Sequence, residues 1–424
     1  MIFIYRLITI LLYPIFIILI YLRKLFNKED DNRYKEKIFH SNFFPNRNDK
    51  KKLIWFHAAS IGEVQSIFPL VKKLNNENND LEFLITTVTL SSGNIVKKKF
   101  FANENINHRY FPLDVNFLIK SFLNKWKPNL VIFIDSEIWP NLIFEIKKRK
   151  TPIALINGRI TKKSFDKWML ISKFAKKIFN SFDLCLAASK ESEKNLKELS
   201  VKNLIYFGNI KFSAEVERKD LTDKYLEILK EKTFWCAAST HKGEEIICLK
   251  AHLNLKKTYK DLITIIIPRH INRCVEIRDL CNKHKLSSQV LNDKELIKDN
   301  CEIIIINSFG ALSKFYNYSK SVFIGKSMIK KLEPVGGQNP IEAAKLGCKI
   351  YHGPYTYNFQ EIYELFNKYE ISEKINNEDE LANKLNIDLE SSKEIKGNDI
   401  DIINNLGEKI LNDTFNELSK IINR

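Results

Sequence analysis

The 424-residue sequence contains no C-x-x-C pair, and its seven cysteines (185, 236, 248, 274, 281, 301 and 348) are odd in number. That argues against a disulfide framework and a thiolate zinc site, and fits reduced core cysteines in a cytosolic compartment. No RNA- or DNA-binding signature and no single basic block accompanies the formal charge of +17, because the lysines are spread along the whole chain. Nucleic acid is therefore not an expected partner, whereas a dispersed positive charge suits an anionic membrane face or a phosphorylated substrate. No repeat of solenoid period appears. The N-terminal apolar stretch lacks the small residues of a cleavage site, so a removed signal peptide is not expected.

What is present is a folded, two-domain composition. The chain is too long for one ordinary core, and its 44% hydrophobic and 12% aromatic content suits an enzyme better than a disordered tail. Residues Ile2 to Leu22 are almost wholly apolar, broken by Arg6, Thr9 and Pro14 and followed by Arg23, Lys24 and Lys28. That length can span a bilayer of about 30 Å, and the basic flank then leaves the rest of the chain on the cytoplasmic side. The alternative is an interfacial helix lying in one leaflet. A charged linker, 27–52, follows.

Beyond it, apolar strand-like runs alternate with amphipathic helices. One series is Leu53–His57, Leu81–Thr87, Leu130–Asp135, Ile153–Asn157 and Leu184–Ala188. A second is Leu204–Gly208, Phe234–Ala238, Ile263–Pro268, Glu302–Asn307, Ser321–Gly325 and Lys349–His352. Such alternation specifies βαβ units with parallel sheets, and runs that are apolar throughout suit strands buried on both faces. The expected fold is α/β of the GT-B type: two Rossmann-like doubly wound domains facing a cleft, behind an N-terminal membrane-anchor helix. The boundaries are 1–25 for the anchor, 26–207 for the first domain and 208–424 for the second with its closing helices. The fold alone does not give the reaction.

Five segments carry candidate chemistry, and a sixth a candidate helix cap. In Trp55-Phe-His-Ala-Ala-Ser-Ile-Gly-Glu63, a strand, a tight loop and a helix leave a lone carboxylate at the loop–helix junction. Ligands of open α/β sheets bind at the carboxyl ends of strands, so Glu63 stands where a base would; the alternative is a first-turn acid favoured by the helix dipole. In Asp135-Ser-Glu137-Ile-Trp-Pro-Asn141, two acids at i and i+2 form either a D-x-D-like metal site or a structural pair met by a cation such as Arg159. Lys211, in Gly208-Asn-Ile-Lys-Phe212, is placed to reach a phosphate or leaving group, or is simply solvated. Arg269, ending Ile265-Ile-Ile-Pro268-Arg-His270, offers a planar fork suited to phosphate. In Val335-Gly-Gly-Gln-Asn339-Pro340-Ile341-Glu342, two glycines let backbone approach a ligand. Asn339 as N-cap, Pro340 at N1 and Glu342 at N3 form a capping-box variant that also serves as a phosphate cradle. In Ser239-Thr-His-Lys-Gly-Glu-Glu245, Ser or Thr is expected to cap a helix.

Taken together, these segments resemble the 3-deoxy-D-manno-octulosonic acid (Kdo) transferases. The markers are His57–Glu63, Glu137–Asn141, Gly208–Phe212, Ser239–Glu245, Pro268–His270, Gly336–Glu342 and His352-Gly-Pro354…Asn358-Phe359, in the family's order. The resemblance implies transfer of Kdo from CMP-Kdo to a lipid A precursor, lipid IVA, with inversion, without a metal or cofactor, at the cytoplasmic face of a bacterial inner membrane. It implies Glu63 as general base and Asp135 and Lys211 as transition-state support. It assigns CMP contacts to Pro268, Arg269, Phe309, Gly310, Ala311, Asn339, Pro340, Ile341 and Glu342. A helix N-terminus is expected to hold Glu63 ionised. Four departures stand out: Asp135 where the family usually has Glu, Asn307-Ser-Phe-Gly-Ala-Leu312 without its two usual acids, Gln338 for a frequent His, and Lys326 for a Gly.

Overall fold

A computed structural model describes the chain except residues 44–49, 102, 219, 222, 293–294, 309, 392–396 and 424. The chain forms two compact units, Met1–Glu215 with Leu406–Arg424, and Val216–Asn405.

The first unit is built on a seven-stranded sheet of order β3-β2-β1-β4-β5-β6-β7. The strands are β1 (Lys52–His57), β2 (Leu81–Thr87), β3 (Ile106–Tyr110), β4 (Leu130–Ile134), β5 (Ile153–Gly158), β6 (Leu184–Ala187) and β7 (Leu204–Ile205). Every pairing is parallel. Parallel neighbours need a crossover, and here helices such as Ile61–Glu77 supply it, burying Val64, Ile67, Phe68 and Val71. The central strands β1, β2 and β4 are buried on both faces, with Trp55, Phe122, Trp126 and Phe133 in one core.

The second unit repeats the plan with β8 (Thr233–Thr240), β9 (Leu262–Pro268), β10 (Ser288–Leu291), β11 (Ile303–Ile306), β12 (Ser321–Ile324), β13 (Lys349–His352) and β14 (Ser372–Lys374). Its order is β10-β11-β9-β8-β12-β13-β14, again parallel throughout. Trp235, Ile266, Phe323 and Tyr351 anchor its core.

The two doubly wound sheets are those expected, with three differences in their elements. Strands β3, β10 and β14 were not foreseen; all three are sheet edges, short and polar, so they carry no buried apolar run. The run at Leu204, assigned to the second series, is edge strand β7 of the first sheet. The unit boundary falls after Glu215 rather than at 207/208, and the last residues return to the first unit. Packing explains the return: Gly407 lies against the Phe212 backbone, and Ile410 occupies the space beside Gly208.

In place of one N-terminal helix there are two, Ile2–Leu11 and Tyr13–Leu25, bent by 50°. Pro14, in the first turn of the second, has no N–H with which to continue the first. Among the described residues no single helix is long and apolar enough to cross a membrane. The pair is fastened to the first unit by polar contacts: Tyr5 OH donates to Asp114 (2.9 Å), Arg6 pairs with Glu145 (2.9 Å), and Asn141 Nδ2 donates to Thr9 Oγ1 (3.3 Å). Its other side exposes Phe3, Ile4, Leu7, Leu11, Ile15 and Ile18.

Candidate active site

Strand order in the first sheet runs outward from β1 to β3 and then restarts at β4 on the other side of β1. The carboxyl ends of β1 and β4 are therefore the switch point, where an open sheet parts and ligands bind. Asp135 follows the end of β4 directly, and Glu63 lies in the first turn of the helix that a short loop joins to β1.

Glu63 sits at the third position of helix Ile61–Glu77, whose N-cap is Ser60. Glu63 is a first-turn acid, and Ser60 Oγ accepts its N–H (3.4 Å). The carboxylate turns back, accepting the Ala59 N–H at 2.7 Å and the Ser60 hydroxyl at 2.7 Å. The expectation that the helix keeps it ionised is overturned. Burial, then the charges of Asp135 and Glu137, raise its pKa from 4.5 to about 7, against the lowering effect of the Ser60 and Ala59 hydrogen bonds. Desolvation and like charge outweigh the first-turn donors.

Asp135 adopts a left-handed backbone (φ +56°), as does Asn157 at the end of β5. Its carboxylate pairs with Lys211 Nζ at 2.6 Å and accepts from Asn157 Nδ2. Asn157 Oδ1 in turn accepts the Ile210 N–H (3.1 Å), fixing the loop that carries Lys211. Lys211 is thus a cation on this carboxylate, and Arg159, the example the sequence offered, donates its backbone N–H to the Asp135 carbonyl (3.0 Å).

Glu137 is held differently. Trp139 Nε1 donates to it at 2.9 Å, and His57 Nε2 lies 3.2 Å from the same oxygen. Behind His57, Thr86 Oγ1 receives the Trp55 indole N–H (2.8 Å) and lies 2.9 Å from His57 Nδ1. Sequence reasoning missed the relay, although His57 and Thr86 end adjacent strands in register. Asp135 and Glu137 each face protein donors, which favours the paired-acid reading over a D-x-D metal site. Among the described residues no group of three or more His, Cys, Asp or Glu is arranged for a metal ion.

In the second unit the switch point lies between β8 and β12. Pro268 ends β9, and exposed Arg269 follows it, its N–H donating to Thr240 O (3.1 Å). No hydroxyl caps helix Glu244–Leu255; Ser239 and Thr240 belong to β8. Buried Glu244 instead accepts four backbone N–H groups, from His241 (2.8 Å), Lys326 (2.7 Å), Ser327 (2.8 Å) and Met328 (3.0 Å). It joins the loop after β8 to the loop after β12.

The Asn339 segment differs in register from the capping box. Helix Ile341–Lys345 starts after Pro340, which takes the N-cap position without a side-chain cap, and Glu342 becomes its second residue. Asn339 Oδ1 accepts the Ile341 N–H (3.1 Å). The glycine pair serves a close approach within the chain: a Cβ on Gly336 would lie 2.3 Å from Tyr355 O, and Gly337 has φ +84°. Gly310 (φ +73°) is exposed and Ala311 buried ahead of helix Leu312–Tyr316; Phe309 lies outside the described residues.

Comparisons with known proteins place the chain in a family. A family model described as "3-Deoxy-D-manno-octulosonic-acid transferase (kdotransferase)" matches residues 32–214. The 3-deoxy-D-manno-octulosonic acid transferase of Rickettsia bellii is 34% identical over 92% of both chains. That likeness is decisive. The chain belongs to the Kdo transferase family. The Haemophilus influenzae transferase is 32% identical over 74% of this chain and 73% of its own. A UDP-N-acetylglucosamine 2-epimerase structure (TM-score 0.61, 14% identity, 88% of this chain and 97% of that one) and a Rickettsia africae glycosyltransferase (0.58, 14%, 88% and 99%) share the two-domain doubly wound fold.

Proposed function

We propose that this Kdo transferase moves Kdo from CMP-Kdo to a lipid A precursor, with inversion at the anomeric carbon and no metal. The observation that carries the reading is Glu63, poised with a pKa of about 7 at the switch point of the first sheet in a chain of this family. A general base works best when its pKa lies near the working pH, and a sugar hydroxyl is a poor nucleophile until its proton is taken. Glu63 would accept that proton as the acceptor oxygen attacks the anomeric carbon and the bond to CMP breaks.

Asp135 and Lys211 would act as one unit: the ammonium offsets part of the charge that Asp135 presents to Glu63 and steadies charge developing as the bond breaks. CMP departs with its phosphate, for which Arg269 supplies a cation. Phe309, Gly310, Ala311 and Asn339 to Glu342 would line the nucleotide, with Glu342 toward the ribose hydroxyls. The exposed apolar side of the N-terminal helix pair, with Arg23, Lys24 and Lys28 following, supports tethering to the cytoplasmic face of an inner membrane.

The test is nucleotide competition. Transfer should be inhibited by CMP and not by UDP; inhibition by UDP alone would replace this donor with a UDP-sugar.

A further inference from the structure

Glu137 is the one acid of the 135–141 loop to which the proposed reaction gives no role. The loop around it is well tied: Ser136 Oγ donates to Arg159 O (2.8 Å), and the Glu137 N–H to Ile134 O (3.4 Å). Its carboxylate is anchored through one oxygen only. Oε2 takes the Trp139 indole N–H (2.9 Å) and lies 3.2 Å from His57 Nε2. Buried Phe111 packs on both of those rings, stacked on His57 (centroids 3.9 Å apart) and tilted against Trp139 (5.4 Å). Oε1 has no hydrogen-bond partner among the described residues, and it is open to solvent in a side chain that is 18% exposed.

That oxygen stands beside the base. His57 ends β1, the Glu63 carboxylate folds back onto the Ala59 N–H two residues further on, and the Glu137 charge is among those that Glu63 feels. A neutral amide would meet the indole N–H as well as a carboxylate does, at a lower cost of desolvation. A carboxylate with one oxygen fixed and the other open is instead suited to accept a hydrogen bond from a ligand, and ligands of an open sheet gather at this switch point.

We propose that Glu137 is an acceptor-binding residue: its Oε1 accepts a hydrogen bond from a hydroxyl of the acceptor sugar other than the one Glu63 deprotonates. Two anchored carboxylates then hold the sugar at two points and orient the attacking oxygen. This inference rests on the reading of Glu63 as the base.

Steady-state kinetics of Glu137→Gln and Glu137→Asp with lipid IVA and CMP-Kdo test it. The indole can only donate, so in Glu137→Gln the amide oxygen stays on Trp139 and the amino group replaces Oε1, setting donor against donor. Glu137→Asp keeps the charge and withdraws it by one methylene. Each should raise KM for lipid IVA about ten- to a hundredfold, the worth of a charge-assisted hydrogen bond, and leave KM for CMP-Kdo unchanged. An unchanged KM for lipid IVA in a folded variant, or equal rises in both KM values, would overturn the inference alone. Loss of the folded state in both variants would assign Glu137 to its Trp139 and His57 partners and overturn it too. A wild type that transfers no Kdo to lipid IVA would remove the base reading and this inference with it.

Discussion

At the scale of single residues the chemistry turns on one carboxyl group and its neighbours. Glu63 must be ionised to act as a base, so kcat/KM should fall as pH drops below about 7, the value to which its pKa is raised. Asp135 adds to that rise and Lys211 faces Asp135. Asp135→Asn should therefore move the acidic limb of the kcat/KM profile to lower pH, and Lys211→Met should move it to higher pH. Displacements in the opposite directions would separate these groups from the base. Stability follows the same linkage. With a folded pKa of about 7 against an ordinary 4.5, ionisation of Glu63 is disfavoured in the folded chain. The favourable balance present below about 4.5 is lost as pH rises through about 7. Glu63→Gln should thus raise the unfolding temperature at pH 8 and scarcely change it at pH 4, while lowering transfer by about 10²–10⁴-fold. The position of Glu63 was legible from its strand–loop–helix context. Its pKa was not, since that depends on Asp135 and Glu137, more than seventy residues away in sequence and brought near by a β1–β4 pairing.

At the scale of elements, what the sequence revealed was what is buried on both faces. Strands β1, β2, β4, β5, β9 and β11 read as largely apolar runs and lie within a residue or two of their expected bounds. Edge strands β3, β10 and β14 lack such runs, because an edge needs fewer apolar side chains, and they emerge only from pairing. The glycine pair at 336–337 was visible, but its service to Tyr355 and Thr356 was not, since that contact joins separate loops. Gly336→Ala forces a Cβ against a backbone carbonyl and should lower the unfolding temperature clearly; an unchanged melt would show that the turn can shift. The N-terminal helices differ from a detached tether in the same way. Arg6→Ala would leave Glu145, whose side chain is 4% exposed, without its cation, and should cost about 1–3 kcal/mol. The solvent-facing part of Arg6 keeps the figure below that of a fully buried pair. Denaturant unfolding of the full chain measures it, and no loss would mean that the Arg6–Glu145 pair adds nothing to the anchorage.

At the scale of the molecule, two parallel sheets each present a switch point, and each carries part of the proposed chemistry. The first holds the base and the Asp135–Lys211 pair; the second holds Arg269 and the turn before Ile341. Residues 1–25 carry no group assigned to the reaction. Their removal should release the chain from anionic vesicles in sedimentation and lower its stability, while the remainder still acts on detergent-dispersed acceptor. An inactive but folded truncation would make the helix pair part of the acceptor site. The central claim, that this chain uses Glu63 to transfer Kdo from CMP-Kdo to a lipid A precursor, is tested most directly by mass spectrometry of the lipid. After incubation with CMP-Kdo, wild type should add the mass of at least one Kdo residue to lipid IVA, and Glu63→Gln should leave the lipid unmodified over the same period. An unmodified lipid with the wild-type protein, or equal conversion by the Glu63 variant, would contradict it.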